Sequence, residues 1–262
     1  MITGALYGTH FKVFCDSMRA AATQIGKTIY IGALLYPSAP AGYDVPATQN
    51  WNAGVLQMQA LPHDYFIIHD YFTAYATNSS ISDILSTGKT VPTADMAYVK
   101  SQLSGAGLAI KPIAFTEWNI QATGSKQNVS YIAGIHAAKT LGTIIKNQFG
   151  QASRWDWPTD GAMATIWDYL IWVMKREQRC GTHAQPFFTY TIFKNSLEIE
   201  WFFDSLKASN TDLTTFSSTF SSGQPATVIV NSGVNQSYSG NRLSAFSGWQ
   251  QILLVHTFRW YR

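Results

Sequence analysis

The stretch Lys111-Pro-Ile-Ala-Phe-Thr-Glu-Trp-Asn119 decides how this chain is read. A short apolar run ends in a carboxylate, an indole and an amide. That is the pattern of a strand buried on both faces whose last residues emerge at the rim of a parallel sheet. Asp64-Tyr-Phe-Ile-Ile-His-Asp-Tyr-Phe72 repeats it, ending in His69, Asp70 and Tyr71. Ala152-Ser-Arg-Trp-Asp156 is a shorter version ending in Trp155 and Asp156, and Thr28 to Leu35 supplies a further β-rich run upstream.

Helical segments separate these runs. Tyr7 to Ile25 carries Phe11, Phe14, Met18, Ala22 and Ile25 at helical spacing, which predicts one apolar face. Pro37, Pro40, Gly42 and Pro46 mark a loop, after which Asn52 to Leu61, Thr93 to Leu103 and Gln127 to Phe149 read as helices. Strands alternating with helices indicate a parallel α/β sheet with right-handed crossovers. Polar and aromatic residues at the C-terminal ends of successive strands favour a (β/α)₈ (TIM) barrel. A doubly wound sheet also binds ligands there, but it would favour a Gly-rich phosphate loop after a strand, and the sequence has none. Four strand–helix units are half of a barrel, so the expectation is the C-terminal half only, with the other half upstream of Met1. After Asn210 the texture changes: Thr211 to Ser222 is rich in Ser and Thr, and Ala226 to Asn231 is a strand. This predicts a small antiparallel, β-sandwich-like segment. The expected division is 1–206 for the half-barrel and 207–262 for the β-rich part.

Composition narrows the function classes. Aromatics make up 14% of the 262 residues and charged residues only 13%. Flat rings suit a cleft that stacks on sugar faces, and they equally suit a bulky core. A net charge of +3 with no basic stripe gives no support for nucleic-acid binding. No apolar run reaches the roughly 18 residues of a membrane span, and the N-terminus does not read as a signal peptide. Cys15 and Cys180 are too far apart to imply a disulfide framework or a metal site. Asp156, Asp160 and His183 have no ligand-like spacing, so neither metal nor cofactor is expected.

Glu117 is the sharpest candidate for chemistry. Retaining glycosidases attack the anomeric carbon with one carboxylate while a second, about 5–5.5 Å away, protonates the leaving group. By position alone, Glu117 equally fits a salt-bridged or solvated strand end. His69 and Tyr71 stand at the mouth of the preceding strand, where they could bind sugar hydroxyls and orient the nucleophile or simply pack. Trp118 and Asn119 flank Glu117, and Trp155 could be a stacking platform or a buried indole.

The ordered set Phe11-Lys-Val-Phe, Asp16 to Ala22, Gly26 to Gly32, Ile68-His-Asp-Tyr-Phe-Thr73, Pro112 to Ile120, Ala122-Thr-Gly-Ser125 and Ala152 to Asp156 resembles glycoside hydrolase family 86. These are the β-agarases and β-porphyranases. The resemblance runs from about Tyr7 to Asp156 and resumes at Gln185-Pro-Phe-Phe188 and from Asp212 to Asn231. It implies a retaining barrel enzyme with β-sandwich domains, cleaving β-1,4 bonds of red-algal galactans and exported from the cell. It further implies Glu117 as nucleophile, with His69, Tyr71, Asn119 and Trp155 on cleft positions. The family's acid/base Glu precedes the match to Tyr7, so it is expected to be missing here.

After Asp156 the chain departs from that pattern. Trp157 to Met174 back-translates, with one base inserted, to family-like sequence. Lys194 to Trp201 and Trp249 to Arg262 do the same after a one-base shift. The stretches 157–184, 194–201 and 249–262 are therefore read as out-of-frame products. The resulting expectation is a truncated, inactive fragment of a galactan-cleaving glycoside hydrolase whose partner class is polysaccharide or oligosaccharide. The alternatives are a non-catalytic carbohydrate-binding fragment or another barrel glycosidase.

Overall fold

The computed structural model describes residues 2–42, 44–58, 61–121, 126–155, 201–203, 212–219, 225–232 and 251–255. These fall into two units. The first holds 1–71, 90–118 and 147–155; the second holds 72–89, 119–146 and 156–262.

In the first unit, helix α1 (Gly4–Gln24) starts where the Thr3 hydroxyl accepts a hydrogen bond from the Leu6 amide at 3.2 Å. A side-chain cap of this kind satisfies one of the free amides of the first turn. Its buried residues are Gly4, Gly8, Phe11, Cys15 and Ala22, a single stripe at helical spacing. This corrects the face expected from sequence. Phe11 and Ala22 are buried, but Phe14, Met18 and Ile25 are 66%, 48% and 72% exposed. The cause is backbone contact with α3 (Trp51–Leu56), the longer of two short helices that follow; the other is α2 (Pro46–Gln49). A Cβ on Gly54 would stand 2.7 Å from the Ala5 nitrogen, and one on Gly4 would strike the Trp51 carbonyl oxygen. Close approach requires the glycines inside, which turns the flanking large residues outward.

Four strands form one sheet in the order β1 (Gly32–Leu34), β2 (Tyr65–Tyr71), β3 (Ile113–Asn119), β4 (Gln151–Arg154). β1 pairs parallel with β2 through Gly32–Tyr65, Ala33–Phe66 and Leu34–Ile67, and β3 pairs parallel with β4. Phe66 donates its amide to Pro112 and Phe72 to Asn119, so β2 and β3 advance together and are parallel as well. Ala33, Phe66, Ile68, Ile113, Ala114 and Phe115 are each at most 3% exposed. Three consecutive buried residues on β3 mean that both sheet faces are covered, as expected where helical crossovers join parallel strands.

Helix α4 (Ile81–Gly105) begins twelve residues before the start expected from sequence at Thr93 and contains Pro92. Pro92 lacks the amide that would bond the Gly88 carbonyl, which is why sequence alone places a helix start just after it. Upstream, Ser80 accepts from the Asp83 amide at 3.1 Å and donates to the Asp83 carboxylate at 2.6 Å. This reciprocal cap fixes the true start. The boundary between the two units falls inside α4, after Lys89.

In the second unit, helix α5 (Tyr131–Lys146) follows a short 3₁₀ turn (Lys126–Val129) and is buried from Ile132 to Thr140. Ile132, Ile135 and Ala138 share one cluster with Phe216, Val228 and Val230. Those three lie on β6 (Leu213–Thr219) and β7 (Pro225–Asn231), the central strands of a sheet ordered β5 (Trp201–Phe203), β6, β7, β8 (Gln251–Val255). A Cβ on Gly142 would stand 2.5 Å from the Phe216 ring, so the ring lies directly on the helix backbone. Ser217 and Thr227 hydrogen-bond across β6 and β7 at 2.9 Å, which satisfies two buried hydroxyls at once.

β5, β6 and β7 pair antiparallel, but β8 runs parallel to β7, from Ala226–Gln251 to Val230–Val255. The antiparallel expectation for this segment is corrected at that edge. The described strands there make one four-stranded sheet. Of the stretches read as out of frame, residues 157–184 and 194–200 lie outside the described residues, whereas Gln251–Val255 forms β8. Cys180, Asp156, Asp160 and His183 also lie outside them.

Candidate active site

The end of β3 is irregular. From Phe115 to Trp118 it uses three residues where β4, from Ala152 to Arg154, uses two. Its partner on the other side agrees: β2 advances six residues from Phe66 to Phe72 while β3 advances seven, from Pro112 to Asn119. β3 therefore carries one extra residue, a bulge, between Phe115 and Trp118. Bulges break strand alternation and re-aim side chains, and they concentrate near functional sites. Here the two consecutive residues Thr116 and Glu117 are both partly exposed, with Trp118 buried after them.

Both reach the same imidazole on β2. The His69 Nε2 lies 2.7 Å from the Thr116 Oγ1, and its Nδ1 lies 3.6 Å from the Glu117 Oε2. Tyr71, two residues along the same strand face, donates its hydroxyl to that same Oε2 at 2.8 Å. Among the described residues the other Glu117 oxygen, Oε1, has no hydrogen-bond partner. The carboxylate is 30% exposed and the imidazole 39%. One oxygen is held by Tyr71 while the carboxylate stays partly exposed, an arrangement that suits attack on an electrophilic carbon.

Asp70 points to the opposite face of β2 by strand alternation. Its Oδ1 accepts from the Tyr71 amide at 2.7 Å. Burial pushes its carboxyl up to about 6, against the lowering effect of that amide. Asp95 on α4 is 2% exposed, and among the described residues its Oδ2 has no hydrogen-bond partner. Burial first, and the neighbouring Asp70 charge second, push it up to about 8.

The structure thus brings three of the six residues singled out by sequence, Glu117, His69 and Tyr71, into one cluster. Trp118 and Asn119 are not on its open side. They are 1% and 2% exposed, and Asn119 spends its Oδ1 on the Ile120 amide at 2.8 Å. This corrects their expected role in substrate contact: the bulge moves Glu117 outward and leaves Trp118 as core. Trp155 is 47% exposed just beyond β4, its amide bonded to the Trp118 carbonyl at 3.0 Å. Thr116 was missed, because a Thr inside a strand carries no signal until its partner is known. Asp95 was missed too, although it sits one turn from Val99 and two from Leu103 on a buried helical face, where a carboxylate is out of place.

Among the described residues, no group of three or more His, Cys, Asp or Glu could hold a metal ion. No described helix is long and apolar enough to cross a membrane.

No protein-family model matches the chain, and no curated protein matches it in sequence. Solved structures do share its fold. A Paenibacillus polymyxa xyloglucanase from glycoside hydrolase family 44 aligns with TM-score 0.58 at 14% identity, over 88% of this chain and 49% of its own length. A family 44 endoglucanase from Clostridium acetobutylium aligns with TM-score 0.55 at 13% identity, over 88% of this chain and 50% of its own. The chain spans about half the length of these structures.

Proposed function

We propose that this chain is the C-terminal part of a retaining glycoside hydrolase barrel, with Glu117 as the nucleophile. The observation that carries this reading is the 2.8 Å hydrogen bond from the Tyr71 hydroxyl to the Glu117 Oε2 at the rim of a parallel sheet. A charge-assisted bond of this length fixes the carboxylate's direction. The fold shared with family 44 structures and the resemblance to family 86 support the same class.

In this mechanism Glu117 Oε1 attacks the anomeric carbon, the glycosidic bond breaks, and an ester links sugar to Glu117. Water then cleaves the ester. The leaving oxygen needs a proton from a second carboxyl group about 5–5.5 Å away. Among the described residues, Tyr71 and His69 are the side chains that bond to or pair with Glu117, and the resemblance to family 86 implies that the acid comes from a preceding strand of the parent enzyme. Without it the chain turns over natural substrate poorly, since general acid help is worth about 10²–10⁴-fold. The substrate class is a β-1,4-linked polysaccharide, with red-algal galactan favoured by the resemblance. A polymer of that size places the parent outside the cell or on its surface.

A second reading, carbohydrate binding without chemistry, is favoured by the exposed Trp155 indole beyond β4. One experiment separates the two. A 2,4-dinitrophenyl 2-deoxy-2-fluoro-β-galactoside has a leaving group that departs without a proton, so it labels a nucleophile even where the acid is missing. The expected result is a glycosyl adduct on the Glu117 peptide by mass spectrometry, lost in Glu117→Gln. Retardation in agarose gels with no adduct from galactosyl, glucosyl or xylosyl reagents would leave binding as the function and remove the nucleophile.

A further inference from the structure

Thr116 is the residue of the cluster with no role so far. Its Oγ1 lies 2.7 Å from the His69 Nε2, and this is its only hydrogen bond among the described residues. The opposite ring nitrogen, Nδ1, lies 3.6 Å from the Glu117 Oε2. An ionised carboxylate only accepts hydrogen bonds, whereas a hydroxyl both donates and accepts. A neutral imidazole carries one proton, and the hydrogen bonds at its two nitrogens decide where it sits. With the proton on Nε2, the Nδ1 lone pair would face the carboxylate. With the proton on Nδ1, the ring turns an N–H toward the carboxylate, and Nε2 accepts from the Thr116 hydroxyl. The second arrangement satisfies every group.

We propose that Thr116 is a positioning residue for Glu117: its hydroxyl holds the His69 ring with Nδ1–H turned to the carboxylate oxygen that Tyr71 also grips. The bulge is what makes this possible. Strand alternation would send Thr116 and Glu117 to opposite faces, and the extra residue puts both against one imidazole. The hydroxyl can also reverse from donor to acceptor if the ring takes a second proton, so His69 stays placed in either charge state. The value of the device to catalysis rests on Glu117 being the nucleophile; the tautomer itself does not.

The test uses the full chain labelled with ¹⁵N-histidine. Long-range ¹H–¹⁵N correlations of the His69 ring, taken where it is neutral, show which nitrogen carries the proton. The native chain and Thr116→Ser are expected to show the Nδ1–H form. Thr116→Val, which keeps the branched shape and removes the hydroxyl, is expected to shift the ring toward Nε2–H. Labelling of Glu117 by the fluoro-sugar should slow roughly five- to tenfold in Thr116→Val, the loss of about one hydrogen bond, and recover in Thr116→Ser. An Nε2–H ring in the native chain overturns the proposal, even if Thr116→Val fails to fold. So does a Thr116→Val ring identical to the native one. If the tautomer is as stated but no adduct forms on the native chain, the glycosidase reading has failed and the positioning role stands. An adduct together with an Nε2–H ring fails the positioning role alone.

Discussion

The two faces of the β2 end carry the same kind of group in opposite circumstances. On one face, His69 and Tyr71 meet Glu117, a partly exposed carboxyl with two neighbours at a single oxygen. On the other, Asp70 is close enough to raise Asp95, a nearly fully buried carboxyl whose Oδ2 meets no donor among the described residues. Burial without a donor favours the protonated form. Consecutive residues of one strand therefore serve two purposes, one directing a carboxylate outward and the other packing acids against α4.

The most severe way to break this comparison is Glu117→Gln. With Glu117 as the proposed nucleophile, it should reduce fluoro-sugar labelling on the order of 10³-fold or more, because a neutral amide replaces the anionic carboxylate. Stability should change by on the order of 1 kcal/mol, since the amide oxygen still accepts from Tyr71 and only the charge on that bond is lost. Asp95→Asn should do the reverse. Both Asp95, at about 8, and Asp70, at about 6, lie above the 3.8 of an unperturbed aspartate. The unfolded chain therefore releases these protons first, and stability falls as pH rises from about 4 to about 8, then levels off. Replacing Asp95 removes most of that slope and should stabilise the chain at pH 8 by on the order of 3–5 kcal/mol as an upper bound. Urea denaturation of both proteins at pH 5 and pH 8 gives the four values needed. If the native chain is more stable at pH 8 than at pH 5, the protonated-acid account of this face is wrong.

Tyr71→Phe should come next. Losing a hydrogen bond to a charged group costs about 1.5–3 kcal/mol, so labelling of Glu117 should slow roughly 10–100-fold with folding intact. The smallest effect is expected from Asp70→Asn. It keeps an acceptor for the Tyr71 amide but removes the neighbouring charge, so the Asp95 midpoint should drop below about 8 while labelling stays unchanged. Carbonyl-¹³C titration of Asp95 reads this directly.

Much of this sheet was legible because its strands are nearly uninterrupted apolar runs. Ile113 to Phe115 and Phe66 to Ile68 announce burial on both faces, and their polar ends announce the rim. That logic singled out His69, Tyr71 and Glu117, which lie together at the rim. It mislaid Trp118 and Asn119, because it assumed unbroken alternation through the rim, and a bulge is a relation between strands that no single strand displays. It missed Thr116 and the Asp70–Asp95 pair for the same reason: a buried acid on a helix acquires meaning only from what faces it. On α1 the large apolar residues outweighed Gly4 and Gly8 in the sequence pattern, although backbone contact with α3 chose the face. Pro92 hid the first half of α4, whereas the Ser80 and Asp83 cap could have revealed it. The direction of β8 depends on the path taken between Asn231 and Gln251, which local pattern does not specify.

Cys15 sits in the middle of the α1 stripe as an unpaired thiol, 1% exposed. A bulky maleimide cannot reach it while the helix lies on its neighbours. In a Cys180→Ser background, the modification rate becomes a stopwatch for that helix lifting away. Divided by the rate of the denatured chain, it gives the equilibrium for a local opening that need not involve the rest of the fold. Run on the Asp95→Asn chain at pH 5 and pH 8, the same stopwatch would show whether strain at the buried acids stays beside α4 or loosens the whole first unit.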